Sequence, residues 1–158
     1  FIVHARKGLL KGLTPRQNRN IPPLNYQKVY SLKEDFPELE IIINGGIKTI
    51  SETKNHLNYV DGVMLGRAAY DDPFMLSNID SEVFSDTKIE ISRKDLLNEY
   101  LDYVHLMAKK GYDPKIMLKH IFGLKKGEKD AKRFRVKVSE IMNSSKLVEN
   151  KDELLSMV

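Results

Sequence analysis

The chain of 158 residues contains no cysteine. That excludes disulfides, thiolate metal sites and a catalytic thiol within it. No apolar run approaches the roughly 20 residues of a membrane span. No signal peptide is recognisable, and the chain opens on Phe1-Ile2-Val3-His4 rather than on Met. This start reads as a strand with nothing before it, so the expectation is that a preceding segment has been removed. A strong excess of one charge is also missing. Lys plus Arg number 26 and Asp plus Glu 22, a net of +4. A bias that small points only weakly to an anionic partner. What is present is a hydrophobic fraction of 41% with 30% mixed charge, a composition that folds around a core.

The first half alternates strand and helix signals. Phe1 to Val3 is an apolar run, and a loop rich in Lys, Arg, Gly, Pro and Asn follows from Arg6 to about Leu24. Helical spacing of Val29, Leu32 and Phe36 predicts a helix over 26–35, stopped by Pro37. Glu40 to Ile43 reads as a buried strand before Asn44-Gly45-Gly46. Ser51 is the expected cap of a short helix ending near Leu57. Gly62 to Leu65 is a third strand, and Gly66-Arg67 opens a helix. Strands alternating with helices build parallel βα units. Three units cannot close a (β/α)8 barrel, which takes about 250 residues.

The second half carries only helix signals. Residues 80–90 are polar and connective. From Ser92 a stripe of Leu96, Leu97, Tyr100, Leu101, Val104 and Met107 runs to Gly111. Asp113-Pro114 restarts a helix that Gly123 stops. A third helix is expected over 128–142 and a short last one over 152–157. The fold class expected is α/β plus all-α: the C-terminal portion of a (β/α)8 barrel followed by a small helical bundle. Its domains are 1–78, a linker over 79–91, and a helical domain over 92–158.

The residues with chemical potential lie mostly at strand ends, where parallel α/β folds bind ligands. Gly45 and Gly46 let a backbone approach a ligand closely. Gly66-Arg67 adds a helix start and a guanidinium fork for phosphate oxygens. Either motif alone reads equally well as a structural turn. Their succession after consecutive strands matches the phosphate loops after the last two strands of a barrel. His4, closing the first strand, would project into the same mouth. His56, His105 and His120 lack ligand partners, so no metal site is expected.

Two basic clusters suit a polyanion, or are simply solvated surface. The first is the loop carrying Arg6, Lys7, Lys11, Arg16 and Arg19. The second holds Lys125, Lys126, Lys129, Lys132, Arg133, Arg135 and Lys137. If helical throughout, Lys125, Lys129 and Lys132 would share a face.

Several segments together resemble the A-type tRNA-dihydrouridine synthases. They are Val3-His4-Ala5-Arg6-Lys7, Asn18-Arg19 with Ile21-Pro22-Pro23-Leu24, Ile43 to Ile47, and Asp61 to Tyr70. Gly123-Leu124, Gly127 and Ala131 to Arg135 extend the likeness through the helical half. The resemblance implies an FMN-binding barrel and a helical domain that helps hold tRNA. It implies NADPH-linked reduction of D-loop uridines, at tRNA positions 20 and 20a, to 5,6-dihydrouridine. His4, Asn44, Gly45, Gly46, Gly66 and Arg67 match positions that contact FMN. Arg16, Arg19, Lys132 and Arg135 match positions that contact tRNA. The family's proton-donating cysteine has no counterpart here, so the chain alone is expected to be inactive, with no catalytic residue of its own. The complete protein is expected to be a cytoplasmic monomer. The alternatives are a non-catalytic tRNA-binding module and another phosphate-binding barrel enzyme.

Overall fold

Parallel strands and connecting helices form one compact unit of the computed structural model, Phe1–Ala68, and helices form a second, Ala69–Val158. The structure describes residues 1–84, 87, 90–144 and 150–158. Within the expected linker, Ile79–Val83 is helical, while residues 85, 86, 88 and 89 lie outside the described part.

In the first unit, β1 (Ile2–His4), β2 (Ile42–Asn44) and β3 (Gly62–Met64) pair in that order, all parallel. The register sets His4 beside Asn44 and Asn44 beside Met64, so three strand ends finish level. Inside the basic loop the chain winds one turn, α1 (Pro15–Asn18). Thr14 and Gln17 satisfy each other's backbone there as a capping box, and Pro15 occupies the first turn. The expectation of a plain loop overlooked this turn. Asn18 ties the loop shut, its side chain accepting from the Leu9 amide at 2.8 Å and donating to the Leu9 carbonyl at 2.9 Å.

Helix α2 (Tyr26–Asp35) begins where the Asn25 side chain accepts from the Lys28 amide. Helix α3 (Ile50–Leu57) is capped by Thr49, not by Ser51. The reason is the partner three residues on. Glu52 completes a capping box with Thr49, whereas Ser51 faces Lys54, which has no acceptor to return. The core gathers Ala5, Val29, Ile41, Ile43, Ile47 and Val60. At the entry to the strands, Asp61 accepts from the Ile41 amide at 2.8 Å and pairs with Lys33 at 2.8 Å. Both contacts hold its carboxyl below the ordinary carboxylate range. These ties lie at the N-terminal end of the sheet, opposite the strand ends where parallel α/β folds bind ligands. Helix α4 (Arg67–Asp71) follows β3 directly.

The second unit contains a 3-10 segment (Pro73–Asn78), α5 (Ile79–Val83), α6 (Arg93–Lys109), α7 (Pro114–Leu118), a 3-10 turn (Lys119–Ile121), α8 (Ala131–Ser144) and α9 (Lys151–Ser156). Ser92 caps α6 by accepting from the Asp95 amide, and Asp113 caps α7 through the Lys115 amide. Leu97, Leu101 and Val104 of α6 close on Leu118, Ile121 and Leu124, with Phe134, Val138 and Ile141 of α8 and Leu154 of α9. Arg93 bolts this core at its rim. It lies 4.0 Å over the Phe74 ring, donates to the Leu124 carbonyl at 3.0 Å and pairs with Glu128 at 3.1 Å.

The third helix starts later than expected. Gly127 and Asp130 have φ of +81° and +62°, left-handed values that a helix cannot continue through. Lys125 and Lys129 therefore lie in the turns before α8, and the expected face shared with Lys132 does not form. Lys125 instead donates to the Met157 carbonyl.

Candidate anion-binding site

The level ends of the three strands lead into Ala5-Arg6, Gly45-Gly46 and Leu65-Gly66-Arg67. Gly45 and Gly46 have φ of +124° and +73°, backbone that glycine alone adopts without strain. The space behind them is occupied. A Cβ at Gly46 would lie 2.5 Å from Leu24 Cδ1, and one at Gly45 would lie 3.1 Å from Leu24 Cδ2 and 3.3 Å from His4 Cε1. Leu24 is thus the wedge that shapes the glycine loop. The Tyr26 hydroxyl donates to the Gly45 carbonyl at 2.9 Å, fixing the plane of that peptide. Gly66 is open, with nothing within 4 Å of a Cβ built there.

Positive charge collects here. Burial first, and then the charges of Arg6, Arg19 and Arg67, push the His4 imidazole below its ordinary value of 6.5. Three guanidiniums, two from the loop after β1 and one from the start of α4, therefore act on one ring, and no carboxylate appears among the groups acting on it. The Arg67 guanidinium donates to Asn20 Oδ1 at 2.8 Å, which holds it against the loop after α1. Arg6 donates through Nη1 to the Pro22 carbonyl, while its Nε is buried without a partner. An unsatisfied buried donor in a cationic pocket is a place for an acceptor to bind. The arrangement can hold an anion with backbone and guanidinium donors, and it keeps His4 neutral near pH 7.

Of the residues expected at this site, His4, Asn44, Gly45, Gly46, Gly66 and Arg67 all lie at the strand ends or in the loops that follow them. Asn44 donates to Met64 Sδ at 3.2 Å, across the register. Arg19 joins them electrostatically, and Arg16, also exposed, sits one turn before it on α1. Lys132 and Arg135 belong to the second unit. Both are exposed on α8, whose buried side is Phe134, Val138 and Ile141. Neither makes an ion pair among the described residues, whereas Lys137 of the same helix is held by Glu153 at 2.7 Å. Sequence signals did not single out Asn20 or Tyr26, and they marked Leu24 only as the end of the Ile21-Pro22-Pro23-Leu24 motif, without a role. Each acts on a loop distant in the chain, which no local pattern records.

A second feature of the first unit is a cavity of about 750 Å³ between β1 and α2, lined largely by apolar groups of Val3, Ala5, Pro22, Val29 and Leu32. Among the described residues no group of three or more His, Asp or Glu is placed to hold a metal ion. No described helix is long and apolar enough to cross a membrane.

A family model described as dihydrouridine synthase (Dus) matches residues 1–157. The chain belongs to the dihydrouridine synthase family. Among its curated relatives, the tRNA-dihydrouridine(20/20a) synthase of Haemophilus ducreyi is 46% identical over 140 residues, 89% of this chain and 43% of the relative. The protein of the same name from Pseudomonas putida is 45% identical over 135 residues, 85% of this chain and 40% of the relative. That of Shewanella oneidensis is 42% identical over 140 residues. The chain therefore spans about two fifths of the length of these curated relatives.

Proposed function

We propose that this chain forms the phosphate-holding part of an FMN-dependent tRNA-dihydrouridine synthase, together with one of its tRNA-contacting surfaces. The observation that carries the reading is the convergence of Arg6, Arg19 and Arg67 on His4 beside the left-handed Gly45-Gly46 loop. Arg6 Nε, buried and without a partner, supports the reading of a site that takes an acceptor. In this reading β1, β2 and β3 are the sixth, seventh and eighth strands of a (β/α)8 barrel, whose last two loops commonly bind phosphate. The segments 1–78 and 92–158 would then be the end of the barrel and a helical tRNA-binding domain.

Bound here, FMN reduced by NADPH would supply the hydride chemistry for reducing the C5–C6 double bond of a D-loop uridine at tRNA position 20 or 20a. The residues of this chain do the binding. Gly45, Gly46 and Gly66 offer backbone N–H groups, and Arg67 offers a fork of donors to phosphate oxygens. Asn44 contributes a side-chain amide beside them. His4, kept neutral by burial and by the arginines, can donate one hydrogen bond without carrying charge. Arg16 and Arg19 on one unit, and Lys132 and Arg135 on the other, contact the tRNA backbone through charge. The chain has no cysteine to protonate the reduced ring, so the isolated chain would not form dihydrouridine.

The test is flavin selectivity in a synthase of full family length carrying these residues. FMN should bind much more tightly than riboflavin, which lacks the phosphate, and Arg67→Ala should narrow the gap. Equal affinity for FMN and riboflavin in the unmodified protein would refute the phosphate site. Dihydrouridine produced by the isolated chain would refute its inactivity.

A further inference from the structure

Between the glycine loop and the helices lies a cluster of four rings that the anion site itself does not explain. Tyr26 packs edge-on against His56, with centroids 4.5 Å apart. His56 is buried, and its Nδ1 shares a hydrogen bond of 2.6 Å with the Tyr30 hydroxyl. Tyr30 in turn stacks on Tyr59 at 4.4 Å. The Tyr26 ring is therefore held from α2 and α3, and only its hydroxyl reaches the loop, at the Gly45 carbonyl.

That single contact has a geometric consequence. The Gly45–Gly46 peptide is trans, so its N–H points opposite to its C=O. With the carbonyl bound by Tyr26 on the α2 side, the Gly46 N–H must face away from α2. Two consecutive glycines at positive φ would otherwise let this peptide rotate at little cost. Leu24 limits the movement of the Cα atoms, but an apolar methyl cannot choose the direction of a peptide dipole. Burial, then the Glu52 charge, holds the Tyr26 phenol above its ordinary value of 10.0, which keeps it a hydrogen-bond donor.

We propose that Tyr26 is a positioning residue that locks the Gly45–Gly46 peptide with its amide turned toward a phosphate-bearing ligand, so that it sets selectivity for a phosphorylated over an unphosphorylated flavin. The assignment rests on the phosphate reading given above. The experiment compares FMN and riboflavin binding, by flavin fluorescence, in a full-length synthase carrying these residues and in its Tyr26→Phe and Tyr30→Phe variants, each checked for folding by circular dichroism. Loss of one neutral hydrogen bond predicts that Tyr26→Phe weakens FMN about fivefold to tenfold. Riboflavin should change by less than about twofold, because the contact acts only through the phosphate. Tyr30→Phe removes a hydroxyl from the same cluster without touching the loop, and it should leave the FMN-to-riboflavin ratio unchanged. Equal weakening of both flavins by Tyr26→Phe, or an equal loss of ratio in Tyr30→Phe, overturns the assignment in favour of general loosening. No ratio in the unmodified protein overturns the phosphate reading instead. Should Tyr26→Phe fail to fold, hydrogen exchange in the unmodified protein decides. The Gly46 amide should gain protection with FMN and not with riboflavin, and equal protection by both overturns the proposal.

Discussion

The two units of this chain are built to opposite principles. Among the described residues the helical unit gathers ten into one apolar core from α6 to α9, including Phe134, Leu97, Leu101 and Leu118. The sheet unit's apolar core gathers six of the described residues, Ala5 and Val29 among them, with Thr53 and His56 also buried, and Ile2 of β1 is 57% exposed. Beside that strand lies the 750 Å³ apolar cavity. The candidate anion site lies in the sheet unit. Its precision comes from specific polar ties, such as Tyr26 to Gly45 and Arg67 to Asn20, more than from packing.

Mutations can break this contrast, beginning with the strongest effect. Phe134→Ala removes a fully buried ring from the helical core and should cost about 3–5 kcal/mol in denaturant unfolding. A loss below about 1 kcal/mol would mean that this core is looser than its burial indicates. Next, Gly46→Ala forces a side chain into positive φ and against Leu24, and should cost about 2 kcal/mol of the sheet unit's stability. If instead it is neutral, the glycine serves only ligand approach. Arg93→Ala removes a ring contact, a carbonyl hydrogen bond and an exposed ion pair, together worth about 1–2 kcal/mol.

A smaller effect separates the units by pH. Burial places the His56 imidazole below its ordinary 6.5, and His4 is shifted the same way. The unfolded chain then takes up protons first as pH falls. The stabilisation is complete above 6.5 and is lost progressively below it. Thermal unfolding followed between about pH 7 and 5 should show the sheet unit weakening, and His56→Phe should flatten the slope. An unchanged slope in that variant would place the proton uptake elsewhere. The smallest effect on stability belongs to Lys132→Ala with Arg135→Ala, which should stay within about 0.5 kcal/mol of the parent. The same pair should lower tRNA affinity and reduce the salt slope by about 2 in a filter-binding series. Identical salt slopes would remove these residues from the tRNA surface.

Much of this architecture was readable without coordinates. Val29 and Leu32 at helical spacing located α2 to the residue, and the β-branched run before Asn44-Gly45-Gly46 located β2 within two residues. Strand ends followed by glycine and arginine marked the candidate site, because parallel sheets commonly bind ligands there, and the structure brings those residues together at the level strand ends. The misreadings share one cause. The Thr49 cap, the α1 turn and the late start of α8 depend on side chains or dihedral angles a few residues away, which composition does not weigh.

Residue order alone determined the strand–helix alternation and the family, since these rest on periodicity and motifs local in the chain, while the compact units divide at Ala68 and not at the expected 78. Only the tertiary structure decided that Arg6, Arg19 and Arg67 converge on His4, that Leu24 wedges the glycine loop, and that the Tyr26 hydroxyl reaches the Gly45 carbonyl. The partners in those contacts come from separate loops and helices, up to dozens of residues apart. Charge and hydrogen-bond direction act through space, and that space exists only once the strands have paired.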